Sequence, residues 1–166
     1  MKNNIFKLVQ IALFSAILVI SKEILAFLPN VELVSFLLIL IACHRSLKES
    51  LMIATCFCFI QMLLYGFGEW TPIYFLVWNG LVLVVKLIPF HSKHLLALIS
   101  GLFGLTFGLY FSLPYLFLSF ETALAYWIKG LFFDLIHCLG NYLIMMLLYD
   151  RMNSLMETFL TSEDTL

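Results

Sequence analysis

Apolar runs of helix length alternate along this chain with short breaks of polar residues, Pro and Gly, and the breaks delimit six helices. The first is expected over about Ile5 to Phe27, closed by Leu28-Pro29-Asn30, where Pro29 disfavours helix through Leu28 and Asn30 is a candidate N-cap for the next. The second runs from Val31 to about Cys43, only about 20 Å of helix at 1.5 Å per residue, so it is expected to be shielded by its neighbours or entered by a reentrant loop. His44-Arg45-Ser46-Leu47-Lys48-Glu49 is a polar turn. The third helix covers about Ser50 to Tyr65 and ends at Gly66-Phe67-Gly68. The fourth starts at Pro72 and stops near Ile88-Pro89, the fifth spans His94 to Ser112 with Gly101, Gly104 and Gly108 down its length, and Leu113-Pro114-Tyr115 separates it from a sixth over Glu121 to Tyr149.

The sixth run has its polar residues in order. At about 100° per residue, Tyr126, Trp127, Gly130, Asp134, His137 and Asn141 share one arc roughly 100° wide, while Leu, Ile and Phe fill the other directions. Asp134 lies roughly 18 Å into this helix, near the membrane midplane, where an ionisable side chain is costly and marks a functional candidate. Asp134, His137 and Asn141 are spaced to bond one another along the face, which suits a binding-site floor and a structural ladder gluing helices together equally well. Lys129 stands about 140° round the helix from Asp134, so its partner is expected elsewhere, among Glu23, Glu32, Glu69, Glu121 or a ligand, unless it snorkels to the interface. Trp70, Tyr74 and Trp78 recur every fourth residue at the start of the fourth helix, beside Asn79, a stripe that can stack a planar ligand or serve as belt and core.

Composition places these helices in a bilayer. Of the residues, 63% are hydrophobic and 11% charged, far from the usage of soluble domains, and mean hydropathy is +1.06. The fold expected is all-α: an integral membrane bundle of six transmembrane helices, one domain over 1–151 with a polar tail at 152–166. The start of the chain is expected to be an uncleaved first helix, since Ser21-Lys22-Glu23 interrupts where a signal-peptidase site would fall. Net charge of −1 says less than where the basic residues sit. Lys2, Lys7, Arg45, Lys48, Lys86, Lys93 and Arg151 gather at one end, which the positive-inside rule makes cytoplasmic, with both termini. Nucleic-acid binding has no support.

The chemistry of catalysis is thinly represented. Asp134 and His137 form a possible acid/base pair, but no nucleophile sits at helical contact spacing with His137, and neither a phosphate-binding glycine loop nor HExxH is present. Cys56 and Cys58 point about 200° apart on a helix and cannot chelate together, so the four cysteines are expected as small buried hydrophobes. No cofactor or metal is implied, and no enzyme is expected.

Four stretches carry a family likeness: Leu28-Pro29-Asn30-Val31-Glu32-Leu33-Val34-Ser35, Tyr65-Gly66-Phe67-Gly68-Glu69-Trp70, Ser100-Gly101-Leu102-Phe103-Gly104 through Leu113-Pro114-Tyr115, and Tyr126-Trp127-Ile128-Lys129-Gly130 to Asp134, His137 and Asn141. In their order and helix count they resemble the substrate-binding S components of energy-coupling factor (ECF) transporters, bacterial vitamin importers. The resemblance implies a plasma-membrane protein that holds a vitamin or related micronutrient at its outer side and docks on a transmembrane coupling subunit bearing two ATPases. It implies ligand contacts where Glu69, Trp70, Tyr74, Trp78, Tyr126, Lys129 and Asp134 lie, to which the polar face and the stripe add Asn79, His137 and Asn141 as candidates, and a coupling-subunit contact at the small-residue pair Ala12 and Ala16. Lys22-Glu23 and Asn30-Val31-Glu32 are expected at the same outer rim. Aromatic walls with charges of both signs suit a flat heterocycle of vitamin size. Two other classes stay open: a membrane scaffold resembling the cell-shape protein MreD, and an intramembrane enzyme.

Overall fold

A computed structural model describes residues 2–163, with side chains over 5–159; Met1, residues 164–166 of the expected tail and the side chain of Lys2 lie outside the described residues. Six helices follow in order: α1 (Lys2–Ile24), α2 (Val34–His44), α3 (Leu47–Tyr65), α4 (Trp70–Leu87), α5 (Lys93–Ser112) and α6 (Phe120–Glu163), with a 3-10 turn, Leu113–Phe117, between the last two. No strand occurs among the described residues. All but α2 are long and apolar enough to cross a membrane, so the architecture is an all-helical bundle of the multi-pass membrane type.

The short helix is the centre of it. α2 has 11 residues, about 16 Å of helix, and touches each of the other five helices. Leu38 and Ile39 are completely enclosed and Phe36, Leu40 and Ile41 nearly so. A helix that is apolar on every side belongs inside a bundle, and the neighbours supply the shielding that its length demands.

The chain enters α2 differently from the pattern expected at its N-terminus. α1 stops at Ile24 rather than near Phe27, because i→i+3 bonds from the amides of Ala26 and Leu28 to the carbonyls of Glu23 and Leu25 turn the backbone ahead of Pro29. Asn30 does not cap α2. It adopts φ +57°, the left-handed conformation Asn tolerates better than most residues, and the Glu32 carboxylate accepts from the Ser35 amide at 2.9 Å instead. That places an anion at a helix N-terminus, where the unpaired amides favour it.

The opposite end is tied by polar contacts. Ser46 and Glu49 form a reciprocal capping box at the start of α3, and Ser92 caps α5. Lys7 pairs with Glu49 at 3.3 Å, Arg45 Nη1 donates to Gln10 Oε1 at 3.0 Å and Lys86 Nζ donates to the Arg45 carbonyl.

α6 runs past the expected stop at Tyr149. It has 44 residues, about 66 Å against a hydrocarbon core of about 30 Å, and the polar tail is its last turns. Met152, Met156 and Phe159 recur on one face: Met156 is buried, the Phe159 ring meets Phe14 edge-on at 6.4 Å, and Asn153 Oδ1 bonds His44 Nε2 at 2.8 Å. The polar residues between them, Asn153, Ser154, Glu157 and Thr158, masked this periodicity. Ending the chain after Arg151 is expected to cost about 2 kcal/mol, the worth of one buried Met-sized side chain, and to lower the unfolding midpoint in detergent by several degrees; an unchanged midpoint contradicts the docking.

Candidate functional site

α5 and α6 pair more extensively than any other two helices, and glycine sets how close they come. A methyl carbon built on Gly104 would stand 2.8 Å from the His137 carbonyl carbon and oxygen, and one on Gly108 would stand 2.5 Å from Asp134 Oδ2. This small-residue contact fixes the rotation of α6. Asp134, His137 and Asn141 turn inward, each at most 5% exposed, while Lys129 lies on the exposed outer face.

A cavity of about 530 Å³ opens at the end of the bundle where α1 finishes and α2 begins. Its size is within the range of small-molecule sites. One wall is the α4 stripe, with Trp70 and Tyr74 edge-to-face at 5.4 Å and Tyr74 and Trp78 likewise at 5.6 Å. The aromatic surface continues from Trp78 to Phe107 at 6.0 Å, from Phe107 to a stacked Phe111 at 4.8 Å and from Phe107 to the His137 imidazole at 5.1 Å. The irregular segment 25–32 closes the other side, with Lys22, Gln61 and Tyr65 nearby.

The polar centre of the cavity is a pair contributed by two distant parts of the chain. His137 Nε2 lies 3.3 Å from Glu32 Oε1, and Ser35 donates to the same carboxylate through both its amide and its hydroxyl. Burial pushes the Glu32 carboxyl up, but the hydrogen bonds and charge of His137 and the Ser35 donors outweigh it and hold the group below the usual carboxylate range, so it is ionised at neutral pH. His137 Nδ1 is buried without a hydrogen-bond partner. Nε2–H is the donor that a carboxylate requires, which leaves Nδ1 as the ring nitrogen without a partner.

Of the residues expected to bind, Trp70, Tyr74, Trp78 and His137 line this cavity, as do Lys22 and Glu32 from the expected rim. The others lie elsewhere. Asp134 Oδ1 accepts from the Gly108 amide at 2.9 Å, and Asn141 Nδ2 donates to Ser35 Oγ and to the Ser100 carbonyl, both at 3.2 Å; these two join α6 to α5 and α2. Asn79 accepts from Thr55 Oγ1 at 3.1 Å and ties α3 to α4. Glu69 accepts from the Tyr115 hydroxyl at 2.7 Å, and Tyr115 stacks on Tyr126 at 4.5 Å, a clasp between the 66–69 segment, the 3-10 turn and the start of α6. Lys129 is away from the cavity because the face carrying Asp134 is the one held against α5. Ala12 and Ala16 are exposed on α1, among the outward-facing Leu8, Leu13, Ile17 and Ile20.

Gln61, Phe107 and Phe111 line the cavity without having been expected there. The i,i+4 pair Phe107 and Phe111, on either side of Gly108, was the available signal, yet in an apolar helix it looks the same as core packing. No known protein family, curated protein or solved structure matches the chain.

Proposed function

We propose that this protein is a substrate-capturing membrane subunit of the kind that ECF S components exemplify, taking a vitamin-like small molecule into the cavity beneath the segment 25–33. The observation that carries this reading is the cavity itself: about 530 Å³, walled by aromatic rings and holding an ionised carboxylate and an open imidazole nitrogen. A protein whose only task was to scaffold others has no use for a buried polar pair beside an open space, since such groups cost stability unless something compensates them. The resemblance of sequence stretches points the same way.

In this proposal the basic end of the bundle faces the cytoplasm of a bacterial cell, and the cavity opens outward. The exposed apolar face of α1 around Ala12 and Ala16 meets a transmembrane coupling subunit, and two ATPases attached to that subunit supply the energy. No bond in the substrate is made or broken.

The test is to purify the chain in detergent with no ligand added, release whatever is retained, and identify it by mass spectrometry beside a Trp70→Ala variant. Trp70 is half-buried at the cavity edge, so the variant is expected to stay folded and lose most of the retained molecule. A wild-type protein that retains nothing and also fails to assemble with a coupling subunit and ATPases returns the scaffold as the better account.

A further inference from the structure

Apart from the His137 ring, the charged groups at and beside the cavity are one cation, Lys22, and two anions, Glu23 and Glu32. Lys22 is its one lysine or arginine, and that ammonium is committed: Nζ stands 3.3 Å from Glu23 Oε1 and 4.4 Å from the centre of the Tyr65 ring. Glu32 meets no lysine or arginine within ion-pair distance among the described residues; its one basic partner is the His137 ring, 3.3 Å from Oε1. Its Oε1 carries the contacts from His137 and Ser35, whereas Oε2 accepts from the Ser35 amide alone. An ionised carboxylate offers about four acceptor positions, so Oε2 has room, and the side chain keeps 16% of its surface exposed on the cavity lining. The same end of the bundle carries Glu69 and Glu121, and Lys129 is the only further cation on this half of α6. A field of that sign draws positive ligands and repels negative ones.

Aromatic surface completes the case. Rings attract cations through their quadrupole, most strongly where water is excluded. Trp70, Tyr74, Trp78, Phe107 and Phe111 border the same space as Glu32.

Resting on the reading of this cavity as a ligand site, we propose that its substrate class is the aromatic organic cation: a flat nitrogen heterocycle carrying positive charge, packed against the α4 and α5 rings with its charge toward Glu32 Oε2. An anionic ligand of equal size meets the carboxylate with no unpaired lysine or arginine to receive it. A neutral one gains the stacking but not the charge.

Three pyridines of nearly equal shape separate these cases: 1-methylnicotinamide is a cation, nicotinamide is neutral and nicotinate is an anion. Titrated into the full chain in detergent and followed by tryptophan fluorescence, the cation is expected to bind at least tenfold more tightly than nicotinamide, with nicotinate weakest. In Glu32→Gln, which keeps an oxygen for the Ser35 amide, the preference for the cation over nicotinamide is expected to fall below threefold. Tightest binding of nicotinate or nicotinamide, or a preference that survives in folded Glu32→Gln, overturns the proposal. Should Glu32→Gln not fold, the charge of the molecule released from wild type decides. A neutral or anionic molecule that Trp70→Ala loses refutes the cation and leaves the ligand site standing; no retained molecule and no response to any of the three refutes both.

Discussion

Gly104→Ala is expected to destabilise the protein by about 3 kcal/mol, the upper part of the range for overpacking, although alanine is the better helix former. The added methyl would meet backbone atoms of α6, the carbonyl of His137 at 2.8 Å and the Cys138 amide nitrogen at 2.9 Å, and backbone cannot swing aside as a side chain can. Relief requires α5 and α6 to separate along their whole contact. The displacement reaches the cavity, because His137 sits on the element that moves. Gly80→Ala and Gly130→Ala are the matched controls: both glycines are helical, and a carbon added at either meets nothing within 4 Å. Those variants are expected to be neutral or stabilised by up to about 1 kcal/mol. Thermal unfolding in detergent decides; equal midpoints for all three would show that the helices are not in tight contact at Gly104.

Trp78→Ala is expected to cost about 3–4 kcal/mol, as truncation of a large buried aromatic does, and to abolish ligand retention with it. Trp78 is 3% exposed and packs against Phe57 at 5.6 Å, Tyr74 at 5.6 Å and Phe103 at 5.2 Å, so its removal joins a void to the cavity and slackens the contact between α3, α4 and α5. Trp70→Ala, at the edge, is expected to cost less than about 1.5 kcal/mol, because a half-buried ring leaves a gap that solvent or neighbours can fill. Comparing unfolding midpoints with retained ligand separates the two roles along one stripe. Equal loss of stability in both variants would mean that the stripe is core throughout.

The helices were legible because breaks such as Ser46-Leu47-Lys48-Glu49 and Leu113-Pro114-Tyr115 contrast sharply with the runs they separate. Helix ends were less so. Ile24 closes α1 through turn bonds that leave no residue signature, and the Met152-Met156-Phe159 face was hidden by the polar residues interleaved with it. In the candidate site, the α4 stripe and His137 could be named because aromatic spacing and an isolated imidazole stand out against aliphatic residues. The 140° between Lys129 and Asp134 was readable as well. What could not be read was which direction faces the cavity, since the Gly104 contact with another helix decides it. The pairing of Glu32 with His137 spans 105 positions and arises only once α2 is enclosed.

That enclosure has a consequence for biogenesis. A segment of 11 residues falls well below the roughly 20 that partition into a bilayer alone, and the backbone of 25–33 that leads into it has few hydrogen bonds of its own, which hydrocarbon does not tolerate. Released singly from a translocon, α2 has no stable place in lipid. Its insertion is therefore expected to be coupled to the helices that enclose it, α1 and α3 through α6, each of which touches it in the folded bundle.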